Sequence, residues 1–135
     1  MQIEQMDRVV IGIRDVDGAA NFLSEFLGTR FHRIQPVVRG RKRTAAISPL
    51  GIELVDILPQ EKEGLRAVHF KVTELEEARA EVKNRGIRID HEVEIGHLRE
   101  LLLNEEDCHG IRIGLISYDV PHGAVIAAAQ EDESN

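Results

Sequence analysis

The sequence predicts an α+β fold in which two βαβββ modules join into one curved mixed sheet around a cleft. Two observations predict it. Gly64 to Ile89 reads as a strand, a helix and the start of a second strand, and Met6 to Ile34 repeats that order. The copies also hold one offset: 74 − 15 = 59 for the acids Glu74 and Asp15, and 70 − 11 = 59 for Phe70 and Ile11. A period so much longer than a solenoid repeat argues for a duplicated module rather than an array.

The elements follow in order. Val9, Ile11 and Ile13 alternate, as in a strand with one buried face. A helix is expected near Val16–Leu27, with Phe22, Leu23, Phe26 and Leu27 as its apolar face and Gly28 as its stop. Three strand-like runs come next: TRFHRIQPV, RKRTAAIS and GIELVDIL. The polar stretch PQEKEG, Pro59 to Gly64, links the modules. In the second module Val68, Phe70 and Val72 alternate. Thr73 is placed to N-cap a helix near Leu75–Arg85, with Glu76 as its capping-box partner. Glu74, Glu76 and Glu77 suit the positive end of that helix, and Lys83 and Arg85 its negative end. Leu75, Ala78 and Val82 mark its packing face, and Gly86 ends it. The runs IRIDHEVEI, LRELLLN and GIRIGLISY complete eight strands. Module 1 covers about residues 5–58 and module 2 about 64–118 of a single domain. The tail, 119–135, passes from small apolar residues to acids; it reads equally as a short helix against a partner or as a frayed end.

Composition narrows the function. A net charge of -7 argues against nucleic-acid binding, which needs a basic footprint. No charged-then-apolar leader or long apolar run points to export or membrane insertion, so the expectation is a cytoplasmic protein. The single cysteine, Cys108, rules out an intrachain disulfide. With no Trp and one Tyr, there is little to build an aromatic clamp for flat ligands. Phe22, Phe26 and Phe70 are expected in the helix–strand core.

With these motifs in place, the chain resembles the vicinal oxygen chelate superfamily, which includes glyoxalase I, extradiol dioxygenases and bleomycin-binding proteins. It is most similar to the methylmalonyl-CoA epimerase type. The resemblance lies in MDRVVIGIRDVDGAANFLSEFLG, PLGIELVDILP, GLRAVHFKVTELEEARAEVKNRGIRI and EIGHLRELLLNEEDCHGIRIGLI, over about residues 5 to 118. It implies a glyoxalase-like fold, commonly a homodimer. It also implies a divalent metal held by a His on each opening strand and a Glu or Gln on each closing strand. Those four positions fall here on Arg8, Glu53, Ala67 and Gly114. Only Glu53 is of a ligand type, so no metal is expected at the family position and no other cofactor is implied. The family's epimerases carry a catalytic Glu between strands 2 and 3, and no acid lies from Gln35 to Leu50.

Alternation extends the list of residues facing the cleft. If Ala67 faces inward, so does His69; if Gly114 does, so does Arg112. The expected site is therefore Glu53 and His69 as proton-moving groups, with Arg8 and Arg112 binding a small anionic substrate. Each has a structural reading beside this one. Arg8 and Glu53 form a salt bridge in the metal's place, His69 is a core histidine bonded to a carbonyl, and Arg112 lies along the sheet edge. The function that follows is a metal-independent isomerase or lyase acting on a small carbonyl or carboxylate compound, an acyl-CoA among them. The alternative is a binding protein without chemistry. The cations of RGRKR, Arg39 to Arg43, form either a solvated hairpin tip or a phosphate clamp. His91, His97, Glu100, Cys108 and His109 are of the types that could form a displaced metal site. Strand alternation, which sets His97 and Glu100 on opposite faces, argues against it.

Overall fold

The computed structural model describes residues 1–35, 37–38 and 40–119. The tail beyond residue 119 and Arg39 of the basic run lie outside them.

The strands are β1 (Ile3–Gly12), β2 (His32–Ile34), β3 (Val37–Val38), β4 (Arg41–Lys42), β5 (Ala45–Ser48), β6 (Ile52–Val55), β7 (Gly64–Val72), β8 (Ile89–Ile95), β9 (Leu98–Leu103) and β10 (Ile113–Ser117). The helices are α1 (Val16–Leu27) and α2 (Leu75–Asn84). Eight strands form one sheet in the order β2-β5-β6-β1-β7-β10-β9-β8, curved as a half-barrel. The two halves of that order mirror each other. β1 is parallel to β6 and β7 is parallel to β10, while β5–β6 and β9–β10 are antiparallel. β1 and β7 pair antiparallel and join the modules. In that pair Arg8 faces His69 and Val10 faces Ala67, the register a 59-residue duplication demands.

The runs expected as single second and third strands of module 1 are each broken. Their inner parts, β2 and β5, stay in the large sheet, and their outer parts, β3 and β4, form a separate two-stranded hairpin. Arg41 and Lys42 are exposed on this hairpin, while Arg43 is tied to Asp56 at 2.7 Å.

One face of the sheet carries the helices. Val16 and Ala20 of α1 pack with Ala46, Leu54, Ile11 and Ile52. Leu75, Ala78 and Val82 of α2 pack with Val72, Leu101, Leu103 and Leu115. The expected α2 face is the observed one. On α1, by contrast, Phe22 and Phe26 are 61% and 73% exposed, not in the core. Val16, Ala20 and Leu23 recur at helical spacing and already fill the sheet-facing stripe. The phenylalanines sit beside that stripe and stack on each other, their ring centres 5.6 Å apart.

Caps set the helix ends. Asp15 accepts a hydrogen bond from Gly18 N at 2.9 Å, and Gly28 closes α1 with a left-handed backbone, φ 66°. Thr73 does not cap α2 as expected. The N-cap residue is Glu74, and the Thr73 hydroxyl donates instead to Glu4 of β1, at 3.4 Å. β7 pairs with β1 as far as Val72, which leaves the next hydroxyl beside the first strand.

Candidate functional site

The face away from the helices is apolar at its flanks. Ile34, Ala45 and Ile47 are buried on one side, Leu98 and Ile116 on the other. Between them, where the modules meet, the sheet buries charge. Among the described residues the buried polar or charged ones are Asp7, Arg8, Ser48, His69 and Glu100. All but Ser48 belong to one cluster. Burying ionisable groups costs free energy unless they pair, so their gathering at one point is not incidental packing.

Register brings them together. Arg8 on β1 faces His69 on β7, and His69 faces Gly114 on β10. Glu53 on β6 faces Val10, two residues from Arg8. Glu100 on β9 faces Ile116, two residues from Gly114. Asp7 joins through a bulge: β1 pairs Met6 with Phe70 and Arg8 with His69, leaving Asp7 as the extra residue beside Arg8.

Arg8 is the hub. Its Nε lies 2.7 Å from Glu53, its Nη1 donates to Asp7 at 3.1 Å, and its Nη2 lies 3.8 Å from Glu100. His69 Nδ1 lies 2.7 Å from Glu100 Oε1. Tyr118 donates its hydroxyl to Asp7 at 2.6 Å, with the Lys71 ammonium 4.4 Å from its ring centre. The Arg8–Glu53 and His69–Glu100 contacts are close but not in line: Arg8 Nε, His69 Nδ1 and Glu100 Oε1 are buried without an aligned hydrogen bond. Both contacts therefore act as ion pairs or near-pairs that a small side-chain rotation converts to hydrogen bonds.

The electrostatics follow from this geometry. Burial works against the charge of Arg8, but Glu53, Glu100 and Asp7 outweigh it and raise its pKa. Burial likewise pushes Glu100 upward, but His69, Arg8 and His91 outweigh it and hold its carboxyl below the usual range. Burial and then Asp7 push the Tyr118 phenol up.

Gly114 supplies space. A Cβ there would stand 2.7 Å from His69 Cδ2, 2.9 Å from its Nε2 and 3.0 Å from Glu100 Oε1. The imidazole thus occupies volume that any side chain at Gly114 would claim.

Of the four expected site residues, the structure brings together Arg8, Glu53 and His69. Arg112 precedes β10, is half-buried, and makes no ion pair with the other three among the described residues. Sequence reasoning missed Asp7 and Tyr118, and it considered Glu100 only as part of a displaced metal site. Glu100 had a signal: alternation puts Leu98, Glu100 and Leu102 on one face, an acid among leucines. Asp7 had none, because a bulge breaks alternation. His97 is exposed and 3.9 Å from Asp119; it lies in the turn between β8 and β9, so the strand alternation expected between it and Glu100 does not apply. Cys108 was placed in a polar turn and is instead buried against the α2 core. No group of acids, His and Cys able to hold a metal is found among the described residues.

No family model matches the chain, and neither does any curated protein. Solved structures do match. A Streptomyces coelicolor methylmalonyl-CoA epimerase in complex with 2-nitronate-propionyl-CoA is 18% identical, with a TM-score of 0.72 over 88% of this chain and 100% of that one. The Mycobacterium tuberculosis methylmalonyl-CoA epimerase is 19% identical, with a TM-score of 0.72 over 90% of this chain and 92% of its own. A hypothetical protein from Bacillus halodurans is 17% identical, with a TM-score of 0.71 over 87% and 96%. At this level of identity the likeness is one of architecture. The chain has the fold of these epimerases, the glyoxalase-like arrangement of two βαβββ modules.

Proposed function

We propose that the protein is a small-molecule isomerase or lyase that moves a proton next to a carbonyl, acting on a small carboxylate or acyl-CoA compound without the divalent ion of its fold relatives. The observation that carries this reading is the buried cluster of Arg8, Glu53, His69 and Glu100 at the junction of the modules. The likeness to epimerases solved with methylmalonyl-CoA and with 2-nitronate-propionyl-CoA supports the substrate class.

The residues at the four family ligand positions do not fit a metal. Arg8 is a permanent cation lying on the one carboxylate, Glu53, Ala67 carries only a methyl group, and the space at Gly114 is filled by His69. In this reading the Arg8 guanidinium supplies fixed positive charge for a developing enolate, and Glu53 or His69 moves the proton. Three carboxylates already surround Arg8, so an anion reaches it when Glu53 turns aside. Glu53 is the most exposed of the three, at 13%, against 1% for Asp7 and 7% for Glu100. Arg112, half-buried before β10, is the second cation in this proposal.

The same saturation of Arg8 favours one competing reading, a cleft closed by its own salt bridge. Incubation in D2O with a panel of small 2-substituted acyl-CoA thioesters and 2-oxo acids separates the two. A proton-transfer enzyme adds deuterium to at least one compound, and Glu53→Gln slows that by about a hundredfold or more if it is the base. No uptake of deuterium anywhere in the panel favours the closed cleft.

The proposal extends to assembly and place: a cytoplasmic homodimer that binds neither nucleic acid nor membrane. The exposed Phe22–Phe26 stack on α1 supports a protein contact there. Among the described residues no helix is long and apolar enough to cross a membrane.

A further inference from the structure

We infer that His69 Nε2 is the proton acceptor of this site, and that Glu100 is a positioning residue that fixes the His69 tautomer. The inference rests on the proposed proton-transfer function for its chemistry, but its structural half stands alone.

His69 and Glu100 are 5% and 6% exposed, and Nδ1 stands 2.7 Å from Oε1. Neither atom has an aligned hydrogen bond among the described residues, and each is the other's nearest opposite group. Leaving a buried nitrogen and a buried oxygen unpaired is costly, so a small rotation that aligns the two is favoured. The Arg8 guanidinium, 3.8 Å from Glu100, is a permanent cation that favours the ionised carboxylate whatever the state of His69. An ionised carboxylate only accepts, so Nδ1 must be the ring nitrogen that carries hydrogen. Whenever the ring carries a single proton, the lone pair is then on Nε2. No hydrogen bond to Nε2 is found among the described residues, and this atom packs against Gly114, 2.9 Å from where a Cβ would stand. Glu53 is already engaged by Arg8, whose Nε lies 2.7 Å from its carboxylate, whereas Nε2 of His69 has no such partner among the described residues.

The step balances without another reactant. A C–H bond next to the substrate carbonyl breaks, and its electron pair remains as an enolate. The proton passes to Nε2, giving an imidazolium whose Nδ1–H still faces the Glu100 carboxylate. Return of that proton to carbon restores the neutral ring.

The test combines nitrogen-15 NMR of the imidazole with deuterium uptake. In the wild-type protein above neutral pH, His69 shows a protonated Nδ1 and a bare Nε2; in Glu100→Gln this preference is lost. Among compounds that the wild type deuterates, His69→Gln slows uptake by about a hundredfold or more, and Glu100→Gln by at least about tenfold. Gly114→Ala, which crowds the ring but keeps Glu100, moves the His69 signals and slows uptake, and it decides the matter if Glu100→Gln does not fold. A wild-type ring protonated at Nε2, or full uptake by His69→Gln, overturns the inference. A wild type that deuterates nothing yet shows the Glu100-dependent tautomer supports the positioning and refutes the proposed function instead.

Discussion

Arg8 shows how a single residue can set the character of a site. It is 8% exposed and touches Asp7, Glu53 and Glu100. Removing one partner from a buried charge network typically costs about 3–5 kcal/mol, because the remaining charges are left unpaired. Arg8→Met should therefore lower the urea midpoint strongly, while Arg8→Met with Glu53→Gln should recover part of the loss. Equal midpoints for the two variants would mean the Arg8–Glu53 contact contributes nothing. Glu100 gives a second expectation at this scale. Its folded pKa lies below its ordinary 4.5, so the stability it adds is fully present above that value. The contribution is lost as pH falls through the depressed folded value. Glu100→Gln should flatten the acid limb of the stability curve below about pH 4.5; an unchanged limb would show the carboxylate is not stabilised in the fold. Arg8 and Glu53 were legible through the resemblance to the family's ligand positions, and His69 through strand alternation, which needs only regular pairing. Asp7 was not, because its place depends on a bulge in the register between β1 and β7.

The elements were legible where local chemistry decides them and less so where tertiary packing does. Both helices fall where the periodicity put them, since Gly28 and Gly86 mark their ends. The exposed phenylalanines of α1 were not foreseen, because periodicity shows that a stripe is apolar without showing which part of it a narrow sheet surface covers. The α1 cap offers a prediction whose sign is the reverse of propensity. Gly→Ala inside a helix ordinarily stabilises by up to about 1 kcal/mol. At Gly18, however, a Cβ would stand 2.2 Å from Asp15 Oδ2. Gly18→Ala should instead lower stability by about 1 kcal/mol through loss of the cap, as thermal unfolding would report.

At the scale of the molecule, duplication explains why the site lies where it does. β1 and β7 are the equivalent strands of the two modules, and their antiparallel pairing places one residue from each, Arg8 and His69, side by side. The helices lie on the other face, so this face is left for chemistry or for a partner. If the stacked Phe22 and Phe26 form the homodimer contact, the double substitution of both by Ser should convert a sedimenting dimer to a monomer with the fold intact. A wild-type monomer at micromolar concentration would argue against that assembly.

The central claim is that a guanidinium stands in for the metal. Deuterium uptake by chelator-treated protein, with its metal content measured on the same sample, tests it most directly. The account predicts undiminished uptake by the metal-free wild type and, for Arg8→Ala, a loss that added divalent ions do not repair. Uptake that disappears with the chelator and returns with stoichiometric zinc, cobalt or manganese would contradict it.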